Sequence, residues 1–197
     1  MPAPLVPGDI TAVILAGGQG SRVGGEDKGL LSLGGQPLVA RVCRRLRGQA
    51  DRLLVCANRN LDAYAQYAPV VTDPEDGFRG PLAGIAAALA ACTTPWLLTV
   101  PVDAPDLPLD LAQRLADASE SGAPRAAMSQ GRREPLFALY PRGLADSARD
   151  ALAGDAAVWR WQDACGTIAV DLSNQASALA NLNSADDFRQ WETKHRD

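Results

Sequence analysis

Between Gly17 and Leu31 the sequence reads Gly-Gly-Gln-Gly-Ser-Arg-Val-Gly-Gly-Glu-Asp-Lys-Gly-Leu-Leu, with five glycines (Gly17, Gly18, Gly20, Gly24, Gly25) ahead of the Asp27-Lys28 pair. Two cations, Arg22 and Lys28, stand among them. Glycines let successive backbone N–H groups converge and let a ligand approach the main chain. Fixed cations beside such a loop suit a polyphosphate. The spacing is not that of a P-loop, because Glu26 stands where the lysine belongs. Nor is it a dinucleotide fingerprint, because Val23 stands at the third glycine position. A second feature is Asp103, held in Pro101-Val-Asp-Ala-Pro105. Prolines on both sides restrict the backbone there. The aspartate reads either as a turn residue capping the next helix or as a hard-oxygen ligand for Mg²⁺.

These residues call for a reaction without a protein nucleophile. The single histidine, His195, falls in the C-terminal segment, expected to be frayed, so Ser-His and Cys-His catalysis have no base. Nucleotidyl transfer to a phosphate monoester needs none. With a second pKa of ~6 the monoester is already an oxyanion at neutral pH. Alignment with the α-phosphate and neutralisation of the leaving pyrophosphate then suffice. Arg22 and Lys28 are assigned to the β/γ-phosphate charge, and Asp103 to the metal.

The elements that must position these groups follow from periodicity. Val13-Ile14-Leu15 is an apolar run ended by glycine, hence a buried strand. Pro37 to Gln49 is expected to be a helix with Leu38, Val42 and Leu46 inward and Pro37 in its first turn. Arg41, Arg44, Arg45 and Arg47 form its solvated face. Leu53–Ala57 is a second strand, followed by a short helix through Tyr64 and a third strand, Val70-Val71-Thr72. A helix opening at Pro81 carries Leu82, Ile85, Ala86 and Leu89. Trp96–Val100 is a fourth strand, and a helix with Leu111, Leu115 and Ala118 inward follows it. Strand and helix alternate as in a parallel sheet with helices on both faces, where ligands bind beyond the carboxyl ends of the strands. Gly17, Cys56–Asn58, Asp73 and Asp103 all fall at such ends. In the last third, Ala126–Met128 and Leu136–Tyr140 flank a charged turn, Gly131–Glu134, and read as an antiparallel excursion over the sheet. Two short helices follow, near 144–152 and around Trp159 and Trp161. A late strand at Thr167–Val170 and a closing helix behind a Ser184/Asp187 capping box complete the chain.

Composition narrows the class. The chain has 197 residues, 47% hydrophobic, which suits one well-cored α/β domain. A net charge of −4 disfavours nucleic acid and anionic membrane as partners, so a polyanion site must be a local basic pocket. Cys43, Cys56, Cys92 and Cys165 form no Cys-x-x-Cys pair, which argues against structural zinc and disulfides and for a reducing cytoplasm. Residues 1–8 read as a loose tail, neither signal peptide nor transit sequence, and no 18-residue apolar run exists for a membrane span.

Leu15-Ala-Gly-Gly-x-Gly-Ser-Arg-Val-Gly-Gly-x-Asp-Lys-Gly-Leu resembles the signature of the nucleotidyltransferases, and its double glycines look most like the molybdenum cofactor guanylyltransferase (MobA) family. Gly80-Pro-Leu-Ala-Gly84, Pro101-Val-Asp103-Ala-Pro105, Pro135-x-x-Ala138-Leu-Tyr140 and Asn181-x-Asn183 resemble further family motifs in the family's order, so the likeness covers nearly the whole chain. It implies a three-layer, Rossmann-like nucleotidyltransferase fold with a mostly parallel sheet. It implies transfer of GMP from Mg·GTP to the terminal phosphate of molybdopterin, releasing pyrophosphate. The implied GTP-binding residues are Leu15, Ala16, Gly17, Gly18, Lys28, Cys56, Asp73 and Asp103. Cys56 stands where the family has Asn, with Asn58 two residues later, and Pro-Val-Asp replaces Pro-Cys-Asp. Arg22, Lys28 and Asp103 are the catalytic set. Gly80, Pro81, Asn181 and Asn183 are the molybdopterin side, although Ser184-Ala185 replaces the usual Thr-Pro and the asparagines also suit a turn before a capped helix. Asp73 suits guanine, ribose or a turn before Pro74. Residues 10–108 become the nucleotide-binding half and 109–197 the acceptor-binding half of a single domain. Molybdoenzyme apoproteins and their chaperones are the implied further partners. The competing readings are a molybdopterin cytidylyltransferase, a sugar-phosphate nucleotidylyltransferase, and a non-catalytic nucleotide sensor.

Overall fold

Ile10–Leu15 (β1) is apolar at nearly every position because both of its faces are covered. The computed structural model describes residues 5–17, 27–73, 80–118 and 122–195. After β1 come a tight hairpin, Ser32–Leu33 (β2) and Gln36–Pro37 (β3), and the helix Leu38–Leu46 (α1). Then follow Arg52–Cys56 (β4), Leu61–Ala65 (α2), Val70–Val71 (β5), Pro81–Ala91 (α3), Trp96–Pro101 (β6) and Leu111–Asp117 (α4). The last third holds Arg125–Ser129 (β7), Arg132–Pro141 (β8), Ala145–Ala153 (α5), Val158–Ala164 (α6), Ile168–Asp171 (β9) and Ala185–Lys194 (α7).

Seven strands form one sheet in the order β5-β4-β1-β6-β8-β7-β9. β4 and β6 both pair with β1 in parallel, and β5 pairs with β4 in parallel. Alternation sends Ala12 and Ile14 of β1 to one face, with Val39 and Val42 of α1 and Leu111 and Leu115 of α4. It sends Val13 to the other, with α3 and with Ala148 and Leu152 of α5. The result is the expected three-layer α/β fold with a mostly parallel sheet. The chain runs outward from β1 to β4 and β5, then returns to β1's other side as β6. The crevice at that reversal lies beyond the carboxyl ends of β1, β4 and β6, where such sheets bind ligands.

Several expectations are corrected. The antiparallel segment does not lie over the sheet: β8 is inserted within it, antiparallel to both β6 and β7, while β9 pairs with β7 in parallel. The turn between β7 and β8 is Gln130-Gly131, both at positive φ (50° and 75°), so Arg132, Arg133 and Glu134 belong to the strand. α1 is shorter than 37–49. Pro37 has extended backbone and caps the helix, and Gly48 at φ 88° turns the chain beyond its end. The β2–β3 hairpin escaped the sequence reading, although Gly34-Gly35 (φ 55° and 77°) carries its turn. Ala118 is exposed at the end of α4, and Ala112 takes the inward place.

The arginines of α1 are not simply solvated. Arg41 Nε donates to the Leu33 carbonyl at 2.7 Å and its guanidinium covers the Trp191 ring. Arg44 donates to Gln36 at 2.8 Å, and Arg45 donates to the Leu107 carbonyl. Of the tail, residues 1–4 lie outside the described residues. Leu5 packs on the core, Pro7–Asp9 makes a 3-10 turn, and Asp51 N–H donates to the Pro7 carbonyl at 2.9 Å. His195 is not frayed either: its ring stacks on Trp191 at 3.9 Å and faces Asp106 at 3.7 Å.

Candidate active site

One cleft opens at the carboxyl ends of the parallel strands. Leu15, Ala16 and Gly17 line it from β1, Cys56 from β4, Asp73 from the segment after β5, and Pro101, Val102 and Asp103 from β6. Gly80, Pro81 and Gly84 line it from α3, Asp27 and Lys28 from the loop after β1, and Asn181 from the segment before α7. The sequence-predicted residues therefore converge. Gly18 and Arg22 lie outside the described residues. Asn183 joins the site through Lys28.

The strand ends interlock. Ala16 N–H donates to the Cys56 carbonyl at 2.8 Å, and Val102 N–H donates to the Leu15 carbonyl at 3.1 Å. Neighbouring parallel strands thus hand the chain into the cleft at a common level.

Lys28 Nζ donates to Asp103 Oδ2 at 2.6 Å and to Asn183 Oδ1 at 2.9 Å. Lys28 and Asp103 side chains are only 20% and 17% exposed, so this pair is shielded from bulk water. An ammonium has three hydrogens, so these two bonds to described residues use two of them. Asp103 Oδ1 is buried and has no hydrogen-bond partner among the described residues. Such an atom calls for a cation or a donor beyond those residues. Among the described residues no group of three or more His, Cys, Asp or Glu side chains could hold a metal. One free carboxylate oxygen fits Mg²⁺, which keeps several waters and uses one or two carboxylates plus substrate phosphates.

Asp27, which sequence reasoning saw only as part of a motif, sets Lys28 in place. Its carboxylate accepts from Tyr64 Oη at 2.5 Å, from Asn60 Nδ2 at 2.9 Å and from Gly29 N–H at 3.3 Å. Arg59 Nε lies 3.3 Å away, and the Asp27 side chain is 6% exposed. Asp27 thereby caps the 3-10 turn Lys28–Leu30 and ties it to the start of α2. Burial, then the hydrogen bond to Asp27, pushes the Tyr64 phenol far above its ordinary range, so it stays a donor. Gly29 is required here, because a Cβ on it would lie 2.3 Å from Tyr64 Oη. The signal in the sequence was Asp27 two residues before Gly29, but its partners come from α2 and only the fold supplies them.

At the opposite wall, Asp73 is held by the segment after β4. Asn58 Nδ2 donates to Asp73 Oδ2 at 2.8 Å, while Asp73 N–H donates back to Asn58 Oδ1 at 3.0 Å. Cys56 Sγ donates to Asp73 Oδ1 at 3.6 Å. Burial, reinforced by the Asp73 carboxylate, pushes the Cys56 thiol far above the usual range, which keeps it protonated and unreactive. Cys56 therefore serves as a donor to Asp73 beside Asn58. The thiol fits because Gly84 has no side chain: a Cβ there would come within 2.9 Å of Cys56 Sγ.

α3 presents its amino end to the cleft. Gly80 (φ 76°) turns the chain into it, and Pro81 occupies the first turn. The dipole of that end favours an anion. Next to Asp103, the Leu182 N–H donates to the Asp103 carbonyl at 2.9 Å, and Asn181 Oδ1 is buried without a partner among the described residues. His195 lines a separate hollow with Arg41, Arg44 and Trp191. Taken together, the described residues of the cleft offer an ammonium, a carboxylate oxygen with no partner among them and a helix amino end, with no activated nucleophile. That is equipment for binding and aligning phosphates.

Residues 12–169 match the MobA-like NTP transferase domain. The chain is 43% identical over 194 residues to the molybdenum cofactor guanylyltransferase of Cupriavidus necator, covering 94% of this chain and 98% of that one. It is 42% identical over 197 residues to the molybdenum cofactor guanylyltransferase of Cupriavidus metallidurans, covering 95% and 97%. The crystal structure of molybdopterin-guanine dinucleotide biosynthesis protein A from Archaeoglobus fulgidus superposes with a TM-score of 0.78 at 20% identity, covering 93% of this chain and 97% of that one.

Proposed function

The chain belongs to the MobA-like NTP transferase family and, within it, to the molybdenum cofactor guanylyltransferases, and from that premise we propose how its cleft joins GMP to the terminal phosphate of molybdopterin. The observation that carries the reading is the Lys28–Asp103 pair, whose Asp103 Oδ1 has no partner among the described residues, set at the mouth of the parallel strands. Leu15, Ala16 and Gly17 form the floor on which the nucleotide lies, and Gly18 is assigned to the same ligand. Asp73, held by Asn58 and Cys56, faces the nucleoside. Among the described residues each of its oxygens accepts one side-chain hydrogen bond, and a carboxylate oxygen has lone pairs for more than one. Adjacent donors on guanine, N1–H and the N2 amino group, match a carboxylate; cytosine offers no such pair.

Lys28, with Arg22, neutralises the β- and γ-phosphates. Asp103 Oδ1 would hold Mg²⁺, which would supply Lewis-acid neutralisation of the triphosphate. Gly80 and Pro81 at the amino end of α3 take the acceptor phosphate, and Asn181 and Asn183 border the pterin. An oxygen of the acceptor monoester forms the new bond to the α-phosphorus as the bond to the β-phosphate oxygen breaks. Pyrophosphate leaves with that electron pair. No proton need be removed, because the monoester is already an anion at neutral pH. The protein's contribution is alignment and fixed charge. Residues 10–108 supply the nucleotide side, and the acceptor side draws on 109–197. The four free thiols support a cytoplasmic location. Molybdoenzyme apoproteins and their chaperones would receive the product. No helix among the described residues is long and apolar enough to cross a membrane.

The test is pyrophosphate release with molybdopterin, Mg²⁺ and either GTP or CTP, coupled to activation of a molybdopterin-loaded apoenzyme. GTP is expected to be the faster donor; faster turnover with CTP would overturn the guanine assignment. Lys28→Ala and Asp103→Asn should each lower kcat/KM by about 10²–10³, the usual cost of one electrostatic group. Wild-type turnover in either variant would sink the proposed roles.

A further inference from the structure

Lys28 is held by two acceptors of different kinds. Asp103 is charged, and in the reading above it is shared with the metal. Asn183 is neutral and lies 155 residues away in sequence. An amide oxygen holds an ammonium by a hydrogen bond without cancelling its charge. A carboxylate that also serves a divalent cation is a poorer anchor, since ammonium and metal repel each other across it. A lysine side chain left with one partner recovers rotamer freedom that binding must then remove.

Asn183 is itself set by the fold. Leu182 N–H is tied to the Asp103 carbonyl at 2.9 Å, and the Leu182 side chain is buried with Leu33 and Leu38. Asn183 N–H and Ser184 N–H both donate to Asp187 Oδ2, at 2.7 and 2.8 Å, and Asp187 N–H donates to Ser184 Oγ at 3.2 Å. The capping box of α7 thus fixes a short strap whose amide reaches the ammonium before any ligand arrives.

We propose that Asn183 is a positioning residue for the nucleotide: it aims Lys28 at the triphosphate independently of Asp103. The strap from the acceptor half then completes the charge site of the nucleotide half. This inference rests on the reading that Lys28 binds the β/γ-phosphates. It differs from an acceptor-only role for Asn183, because it demands an effect when no pterin is present.

The experiment is calorimetric titration of the full-length protein with Mg·GTP and, separately, GMP, without acceptor. Asn183→Ala should weaken GTP binding about five-fold, the worth of one positioning hydrogen bond, and leave GMP binding within about two-fold of wild type. In a Lys28→Ala background Asn183→Ala should add nothing, since its effect passes through the ammonium. Asn183→Ser, which shortens the side chain and keeps the backbone cap, should show the same GTP-selective loss, and both variants are checked for wild-type Tm. Unchanged GTP affinity in both variants, equal losses for GTP and GMP, or a full effect in the Lys28→Ala background would each overturn the inference. If Lys28→Ala weakens GTP and Asn183→Ala does not, the inference fails alone. If Lys28→Ala itself binds GTP like wild type, the reading of Lys28 fails beneath it.

Discussion

Replacing Asp27 by Asn tests whether the scaffold of Lys28 is built as described. The substitution keeps the shape and removes the charge. Asp27 now accepts from Tyr64, Asn60 and Gly29 and pairs with Arg59, in a side chain 6% exposed. An amide presents one oxygen and one NH₂ group, so the two donors on one of the present oxygens meet an NH₂ group and at least one of them is left without an acceptor. A buried donor left without an acceptor costs about 1–3 kcal/mol. The charge on Asp27 is lost as well, but Arg59 is 32% exposed and rehydrates in part, so the full penalty for breaking a buried pair does not apply. The expected destabilisation is about 2–3 kcal/mol, the unpaired donor plus a partly screened ion pair. For a chain of this length that lowers Tm by about 5–10 °C. Because the same carboxylate caps the turn bearing Lys28, kcat/KM should fall by at least about ten-fold, as a misplaced charge does. Thermal unfolding and pyrophosphate release measure the two effects. Tyr64→Phe removes one of the same hydrogen bonds, so the double variant should be less destabilised than the sum of the singles. A Tm within about 1 °C of wild type, where about 5 °C or more is expected, together with unchanged kcat/KM, would refute the reasoning.

Gly84→Ala places a methyl group 2.9 Å from Cys56 Sγ and 3.3 Å from Leu15 Cδ2, so it should cost about 1–3 kcal/mol in urea unfolding and raise KM for GTP. Cys56 should resist iodoacetamide in the folded protein at pH 9. Its folded pKa is raised, so the unfolded chain loses the thiol proton first, and this group's stabilising contribution, complete below the unfolded pKa, declines as pH rises above about 9. Alkylation of Cys56 at the rate of an exposed thiol, seen by peptide mass mapping, would contradict this. Asp187 is held below the usual carboxylate range by the Asn183 and Ser184 N–H groups. Its contribution is present above the unfolded pKa and is lost as pH falls through the depressed folded value, so Asp187→Asn should flatten the stability profile below about pH 4.

The fold was legible in the sequence where burial imposes a simple period. β1, β4 and β6 are covered on both faces, and their continuous apolar runs announce them; Leu38, Val42 and Leu46 mark α1 in the same way. The site residues at strand ends were legible because parallel strands must deliver their carboxyl ends to one side, whatever the loops do. The placement of β8 inside the sheet was not legible. Ala138 and Tyr140 face one layer and Phe137 and Leu139 the other, and that alternation is equally compatible with a separate hairpin. The partners of Lys28 were out of reach for a similar reason. Asp103 and Asn183 lie 75 and 155 residues away, and no local pattern encodes which distant oxygen an ammonium will meet. Asp27 looked like one residue of a loop motif until α2 brought Tyr64 and Asn60 to it. Residue types alone dictated a phosphate-binding α/β protein with no plausible nucleophile–base pair, because periodicity and chemistry are local properties. Which carboxylate is spent on structure and which has an oxygen without a partner among the described residues was decided by tertiary packing, because hydrogen-bond satisfaction depends on who the neighbours are.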